Sequence, residues 1–196
     1  MRLISLFSGI GGLENPGCPP VLCCEADRSC RFILERRFPG AELSDDVIPL
    51  RPPRADVVVG GWPCQDISVA GLQLGLDGAR SGLFYQMLRI AKEAHAHTIV
   101  AENVPNLLRM RGGELFAEVL RSFESQGFTT VAWRTINARE FELPHERRRV
   151  FIIASKHEQH SLSLLRECDT IPRSAPVTWA NSAVKFCNGF YWTAGL

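Results

Sequence analysis

The opening stretch of the chain constrains its fold more than any other. A short apolar run, Leu3–Phe7, leads straight into Ser8-Gly9-Ile10-Gly11-Gly12. A buried strand that breaks into glycines this closely spaced needs backbone at positive φ, a ligand close to the main chain, or both. The turn is not a Walker loop, because no Gly-Lys-Ser/Thr comes after it. Nor does it read G-x-G-x-x-G: counted from Gly9, the last position is Glu14.

Beyond the turn, strand-like and helix-like segments alternate. Val21–Cys24 is a second apolar run closed by Glu25, and Asp27 can cap a helix with Cys30, Ile33 and Leu34 at helical spacing. Ala55–Gly60 reads as a third buried strand, and Leu83, Met87, Leu88 and Ala91 mark a helix. Thr98–Ala101 is a strand ending at Glu102-Asn103. Gly113–Ser125 is a helix carrying Leu115, Phe116, Val119, Leu120 and Phe123, and Phe128–Ile136 and Val150–Ala154 are β-rich. Strands alternating with helices predict an α/β fold: a doubly wound, mostly parallel sheet with helices on both faces.

The 196 residues suit one domain of ordinary size. We place it at residues 1–155, with residues 156–196 as an irregular tail that is polar around Pro172 and Pro176 and ends in aromatic residues without a pattern. No apolar run is long enough to span a bilayer, and residues 1–15 lack the charge-then-apolar pattern of a secretory signal. An intracellular location is expected. The cysteines (18, 23, 24, 30, 64, 168 and 187) are odd in number and contain no C-x-x-C, so neither a disulfide framework nor a structural metal site is expected. A net charge of +1 gives no compositional case for nucleic-acid binding, although Arg109, Arg111, Arg121, Arg134, Arg139 and Arg147–Arg149 gather basic charge in the third quarter.

Some residues suggest chemistry. Glu25, at a strand end beyond the glycine turn, can accept hydrogen bonds from ribose hydroxyls. Asp46 can meet an adenine amine or simply form a turn. In G-G-W-P-C-Q (Gly60–Gln65), Cys64 follows a proline just past a buried strand, where a thiol is either a nucleophile or a packed core residue. Glu102-Asn103-Val104 ends another strand and offers an acid, or a capping glutamate. Arg147–Arg149 stand before the last apolar run, where guanidinium forks suit phosphate or carbonyl oxygens and a solvated charge run is the alternative.

Taken in order, F-S-G-I-G-G, G-G-W-P-C-Q-x-x-S, E-N-V and R-x-R before V-F-I-I resemble the cytosine-5 DNA methyltransferase family across residues 1 to about 154. The resemblance implies a Rossmann-like domain that uses S-adenosylmethionine to methylate cytosine in DNA. It puts Phe7, Ser8, Gly9, Ile10, Gly11 and Gly12 in the cofactor pocket, with Gly60, Pro63 and Leu83 beside them, Glu25 on the ribose and Asp46 on the adenine. It makes Cys64 the nucleophile at C6 of the cytosine, Glu102 the donor at N3, Asn103 a brace for its loop, and Arg147 and Arg149 supports for the base. Gln65 and Ser68 would contact the substrate, and no metal is implied. The family flips its cytosine out of the duplex before reaction.

There are departures from the family pattern. Trp62 stands where proline or phenylalanine is usual, and His145 stands where glutamine is usual. Pro16, Pro19 and Pro20 leave barely one helical turn between the glycine turn and Glu25. Residues 156–196 are too few for a complete target-recognition region, so a second polypeptide carrying one is an expected partner. Truncation and a decayed, non-catalytic binding module are the competing expectations. A transfer-RNA cytosine methyltransferase shares the motifs, and a thiol hydrolase ranks last because no histidine stands in a comparable strand-end motif.

Overall fold

A computed structural model describes residues 1–14, 17–62, 82–141 and 143–157, together with the backbone of 188–192. The chain divides into two compact units, Met1–Ala101 and Glu102–Leu196. The division falls within the strand Thr98–Asn103.

In the first unit, β1 (Leu3–Leu6), β2 (Leu22–Cys24), β3 (Glu42–Ser44) and β4 (Val57–Gly61) lie in the order β3-β2-β1-β4, followed by β5 (Thr98–Asn103), along which the chain passes to the second unit. The pairings of β1 with β2, β1 with β4 and β2 with β3 are all parallel. Register assigns the faces. Cys23 pairs with Ser5 and Ser5 with Val59, so these three share one face, while Leu6 and Gly60 share the other.

Helix α1 (Arg28–Arg37) packs Leu34 and the adjoining Phe38 on Cys23. Helix α2 (Leu83–Glu93) sends Met87 toward Gly60 on the opposite face. The two faces are thus each covered by a helix, as the alternation predicts. Asp27 caps α1 through a hydrogen bond from the Cys30 amide at 2.8 Å. Of the expected inward positions Leu34 is fully buried, but Ile33 is 43% exposed, because the helix turns that side to solvent. No helix occurs among the described residues between β1 and β2. Residues 9–14 turn, and Leu13 and Cys18 pack on Leu3, Val57 and Val59 in its place.

In the second unit, 3₁₀ turns at Pro105–Leu108 and Met110–Gly113 lead into α3 (Glu114–Ser125), which buries Leu115, Phe116, Val119 and Phe123. β6 (Thr130–Asn137) pairs antiparallel with β7 (Arg148–Ser155) and, on its other edge, with β8 (Asn188–Trp192). Two expectations change here. Arg148 and Arg149 lie inside the strand, where their pairing with Asn137 and Ile136 continues the ladder past the apolar run. The aromatic end of the tail, N-G-F-Y-W, contains a strand, in keeping with the β preference of aromatic residues.

Candidate functional site

In the first unit, the register aligns Leu6 with both Cys24 and Gly60, and Cys24 with Ser44. The chain therefore leaves β1, β2, β3 and β4 along one edge, the carboxyl edge of parallel strands. In open α/β sheets ligands gather there. The segments leaving it are the glycine turn, Glu25, Asp46 and Gly61-Trp62.

Phe7, Gly9 and Gly11 all adopt positive φ, at 54°, 54° and 85°. For an aromatic residue such as Phe7 this is a strained conformation, of the kind held in place at functional sites. The turn is held by the Ser8 amide donating to Cys24 O (3.2 Å) and the Gly11 amide donating to Ser8 O (2.9 Å). A Cβ at Gly11 would stand 2.8 Å from Phe38, so this glycine is required by packing as well as by φ. Around Gly9 and Gly12 a Cβ would meet nothing within 4 Å. Ile10 is 53% exposed.

Glu25 is half-buried and spans the turn: its Oε2 accepts the Gly9 amide at 2.7 Å and its Oε1 the Asp27 amide at 2.9 Å. Each carboxylate oxygen keeps a second lone pair for another donor. Asp46 resolves an open alternative in part. Its Oδ1 accepts the Ile48 amide at 2.9 Å and its carbonyl accepts the Ser44 hydroxyl at 3.1 Å, so it does form a turn, with its side chain exposed.

Gly60 is buried in β4, and a Cβ there would come within 2.5 Å of the Leu6 carbonyl oxygen and 3.0 Å of Met87 Cε. Close strand and helix packing thus demands glycine. Trp62 is 3% exposed, its ring centroid 5.0 Å from that of Phe84 in α2, so the departure from the usual residue is absorbed by aromatic packing. Leu83 is half-buried in the first turn of α2. Pro63, Cys64, Gln65 and Ser68 lie outside the described residues.

Two residues of this unit carry almost no signal in the sequence. Glu14 is 5% exposed and accepts a hydrogen bond from the Ser5 hydroxyl, whose oxygen also stands 2.7 Å from Ser8 Oγ, so it buttresses the glycine turn. Its one mark in the sequence is that it breaks the G-x-G-x-x-G pattern. Arg89 of α2 holds the segment after Asp46, and its mark is a lone arginine spaced from Gln86 and Glu93 on one helix face. Burial pushes the Cys23 thiol up to about 12, with the Glu14 carboxylate adding to the effect, and pushes Cys24 up to about 11. Both are core thiols, not nucleophiles.

In the second unit, Glu102 meets both expected arginines. Arg149 Nε stands 2.8 Å from Glu102 Oε1, and an Arg147 terminal nitrogen 3.6 Å from the same oxygen. Asn103 is 3% exposed, and its Oδ1 accepts the Val104 amide at 2.8 Å, bracing the start of the Pro105–Leu108 turn. His145 is exposed. Among the described residues no group of three His, Cys, Asp or Glu side chains is placed to hold a metal, and no helix is long and apolar enough to cross a membrane.

The sequence profile of the family described as C-5 cytosine-specific DNA methylase matches residues 1–181. The chain belongs to that family. The chain is 38% identical to the Type II methyltransferase M2.BsuMI of Bacillus subtilis (strain 168), over 100% of its own length and 52% of that protein's. It is 34% identical to the Type II methyltransferase M.NgoBI of Neisseria gonorrhoeae, over 78% of its own length and 50% of that protein's. The chain spans about half the length of these curated relatives. Its fold is shared with Spodoptera frugiperda DNMT2 (TM-score 0.60, 19% identity, 81% of this chain and 51% of that one). It is also shared with the S. pombe Dnmt2 methyltransferase (TM-score 0.59, 16% identity, 88% of this chain and 57% of that one).

Proposed function

We propose that this chain transfers a methyl group from S-adenosylmethionine to C5 of cytosine in DNA, with Cys64 as the nucleophile. The observation that carries the reading is the common strand edge, from which the glycine turn, Glu25, Asp46 and Gly61-Trp62, the residues just before Cys64 in sequence, all leave. Family membership supplies the reaction class.

The residues present fit the cofactor. Open space at Gly9 and Gly12 admits a ligand against the main chain. Glu25 is preset by two backbone amides and can take ribose hydroxyls on its remaining lone pairs. Phe7, Ser8, Ile10 and Gly11 complete the turn, and the family resemblance assigns Gly60, Pro63 and Leu83 to the same pocket and Asp46 to the adenine. When bound, S-adenosylmethionine supplies an electrophilic methyl group carried on a sulfonium.

On this reading the Cys64 thiolate adds to C6 of the cytosine while Glu102 delivers a proton at N3. The C5–C6 electrons are thereby released toward C5, which becomes nucleophilic. Once C5 carries its methyl group, loss of the C5 proton expels the Cys64 thiolate and restores the aromatic ring. Arg149 and Arg147 hold Glu102 in place, Asn103 keeps its loop, and Gln65 and Ser68 contact the substrate. The chain's net charge of +1 supplies little attraction for phosphates, so a second polypeptide is proposed to help hold the DNA.

The test is calorimetric titration of the purified chain with S-adenosylhomocysteine, S-adenosylmethionine, ATP and NAD. Binding of the two methyl-cofactor forms and not of the others supports the reading. Binding of ATP with none of either methyl-cofactor form at millimolar concentration overturns it.

A further inference from the structure

The segment Val47–Leu50, directly after Asp46, has three of its carbonyls taken by one side chain. Arg89 donates from one terminal nitrogen to Val47 O (2.7 Å) and Ile48 O (3.2 Å), and from the other to Leu50 O (3.1 Å) and the Glu93 carboxylate (3.0 Å). Its Nε donates to Gln86 Oε1 at 2.7 Å. All five guanidinium N–H groups are therefore used, in the planar fan that only arginine presents. The connection continues to the candidate site, because the Ile48 amide, in the same peptide unit as the Val47 carbonyl that Arg89 grips, donates to Asp46 Oδ1 at 2.9 Å. Asp46 itself is exposed, so nothing buried fixes its carboxylate, and its place is set by the Ile48 amide and the Ser44 hydroxyl.

We infer that Arg89 is a positioning residue that sets selectivity for the cofactor's adenine: by pinning Val47–Leu50 to α2, it holds the Asp46 carboxylate where it can accept from the exocyclic amine of a purine. The inference rests on the cofactor reading above and extends it to a residue that touches no ligand. A lysine at this position carries a single ammonium with three donors and cannot span three carbonyls, Gln86 and Glu93 together. The charge is then kept and the geometry lost. Glu25 is held separately by the glycine turn and the Asp27 amide, so ribose recognition is independent of Arg89.

The test compares wild type, Arg89→Lys, Arg89→Ala, Asp46→Asn and the Asp46→Asn/Arg89→Lys double variant by calorimetry with three ligands. These are S-adenosylhomocysteine, its inosine counterpart, which has an oxygen in place of the amine, and its 2′-deoxyribose counterpart. Wild type should prefer the adenine form, and Arg89→Lys should reduce that preference by about tenfold, equivalent to about 1.4 kcal/mol. The preference for ribose over deoxyribose should be unchanged. In the Asp46→Asn background the Arg89→Lys change should have no further effect on the adenine preference, which keeps the test open if Arg89→Ala fails to fold. An unaltered adenine preference in Arg89→Lys, or a parallel loss of both preferences, overturns the proposal alone. Failure of wild type to bind S-adenosylhomocysteine overturns the cofactor reading, and this proposal with it.

Discussion

Arg149 donates from Nε to Glu102 Oε1 at 2.8 Å, while Arg147 reaches the same oxygen only at 3.6 Å with more than half its side chain in solvent. The two arginines of the R-x-R motif are thus unequal. Arg149 is 26% exposed and aligned with a carboxylate that is 19% exposed, whereas Arg147 is 56% exposed and its pull is screened by water. Arg149→Ala should lower kcat by roughly 10²-fold, the order expected when a preorganised electrostatic contact at a reacting group is lost. Arg147→Ala should cost less than about tenfold. Steady-state methyl transfer by both variants checks the ranking, and the reverse order would contradict it.

Glu102→Gln keeps the shape of the side chain and removes the acid. On the proposed mechanism it should bind cofactor as wild type does and lose most of its turnover, because it would lack the proton for N3. Equal turnover of Glu102→Gln and wild type would remove Glu102 from the reaction.

The β4 glycine makes a prediction about stability. Gly60→Ala puts a Cβ within 2.5 Å of the Leu6 carbonyl, a backbone atom that cannot swing aside. It should destabilise the fold by about 1–3 kcal/mol, as overpacking in a tight core does. Gly12→Ala, with open space around its Cβ, should be close to neutral in urea melts of the apo chain. A neutral Gly60→Ala would mean that β1 and β4 are spaced more loosely than described.

The core thiols set a pH dependence. Cys23 is raised from an ordinary value of 9.0 to about 12, and Cys24 to about 11, chiefly by burial. A folded-state value above the unfolded one means that the unfolded chain ionises first. The contribution of these thiols to stability is therefore complete below pH 9 and is lost as pH rises from about 9 toward 11 and 12. Thermal melts should show stability falling over that window, less steeply in Cys23→Ala. Alkylation of Cys23 or Cys24 in the folded chain at pH 8 would contradict their burial.

Much of this was legible in the sequence, and the gaps have physical causes. Leu3–Leu6 and Leu34 could be read because burial enforces apolar periodicity, and Asp27 because helix capping has a local signature. Ile33 could not, since a helix of ten residues tolerates an exposed apolar position that spacing alone does not mark. Glu102, Arg147 and Arg149 were grouped by motif, but only the three-dimensional ladder puts Arg149 opposite Ile136 and nearer than Arg147 to the acid. Glu14 and Arg89 carry little signal, because Glu14 meets a serine hydroxyl and Arg89 mainly grips main-chain carbonyls, contacts that residue spacing does not mark. The antiparallel order of β6 and β7 depends on the path of the chain between them, which composition does not encode.

The central claim, that Cys64 attacks C6 of cytosine, is tested most directly by trapping. An oligonucleotide with 5-fluorocytosine in an unpaired position removes the cost of flipping the base. It also blocks the final step, because fluorine cannot leave C5 as a proton does. Incubated with the chain and S-adenosylmethionine, then digested and read by mass spectrometry, it should remain joined to the peptide containing Cys64 and disappear in Cys64→Ala. An adduct on another cysteine, or methylation of cytosine-containing DNA by Cys64→Ala, would contradict the account.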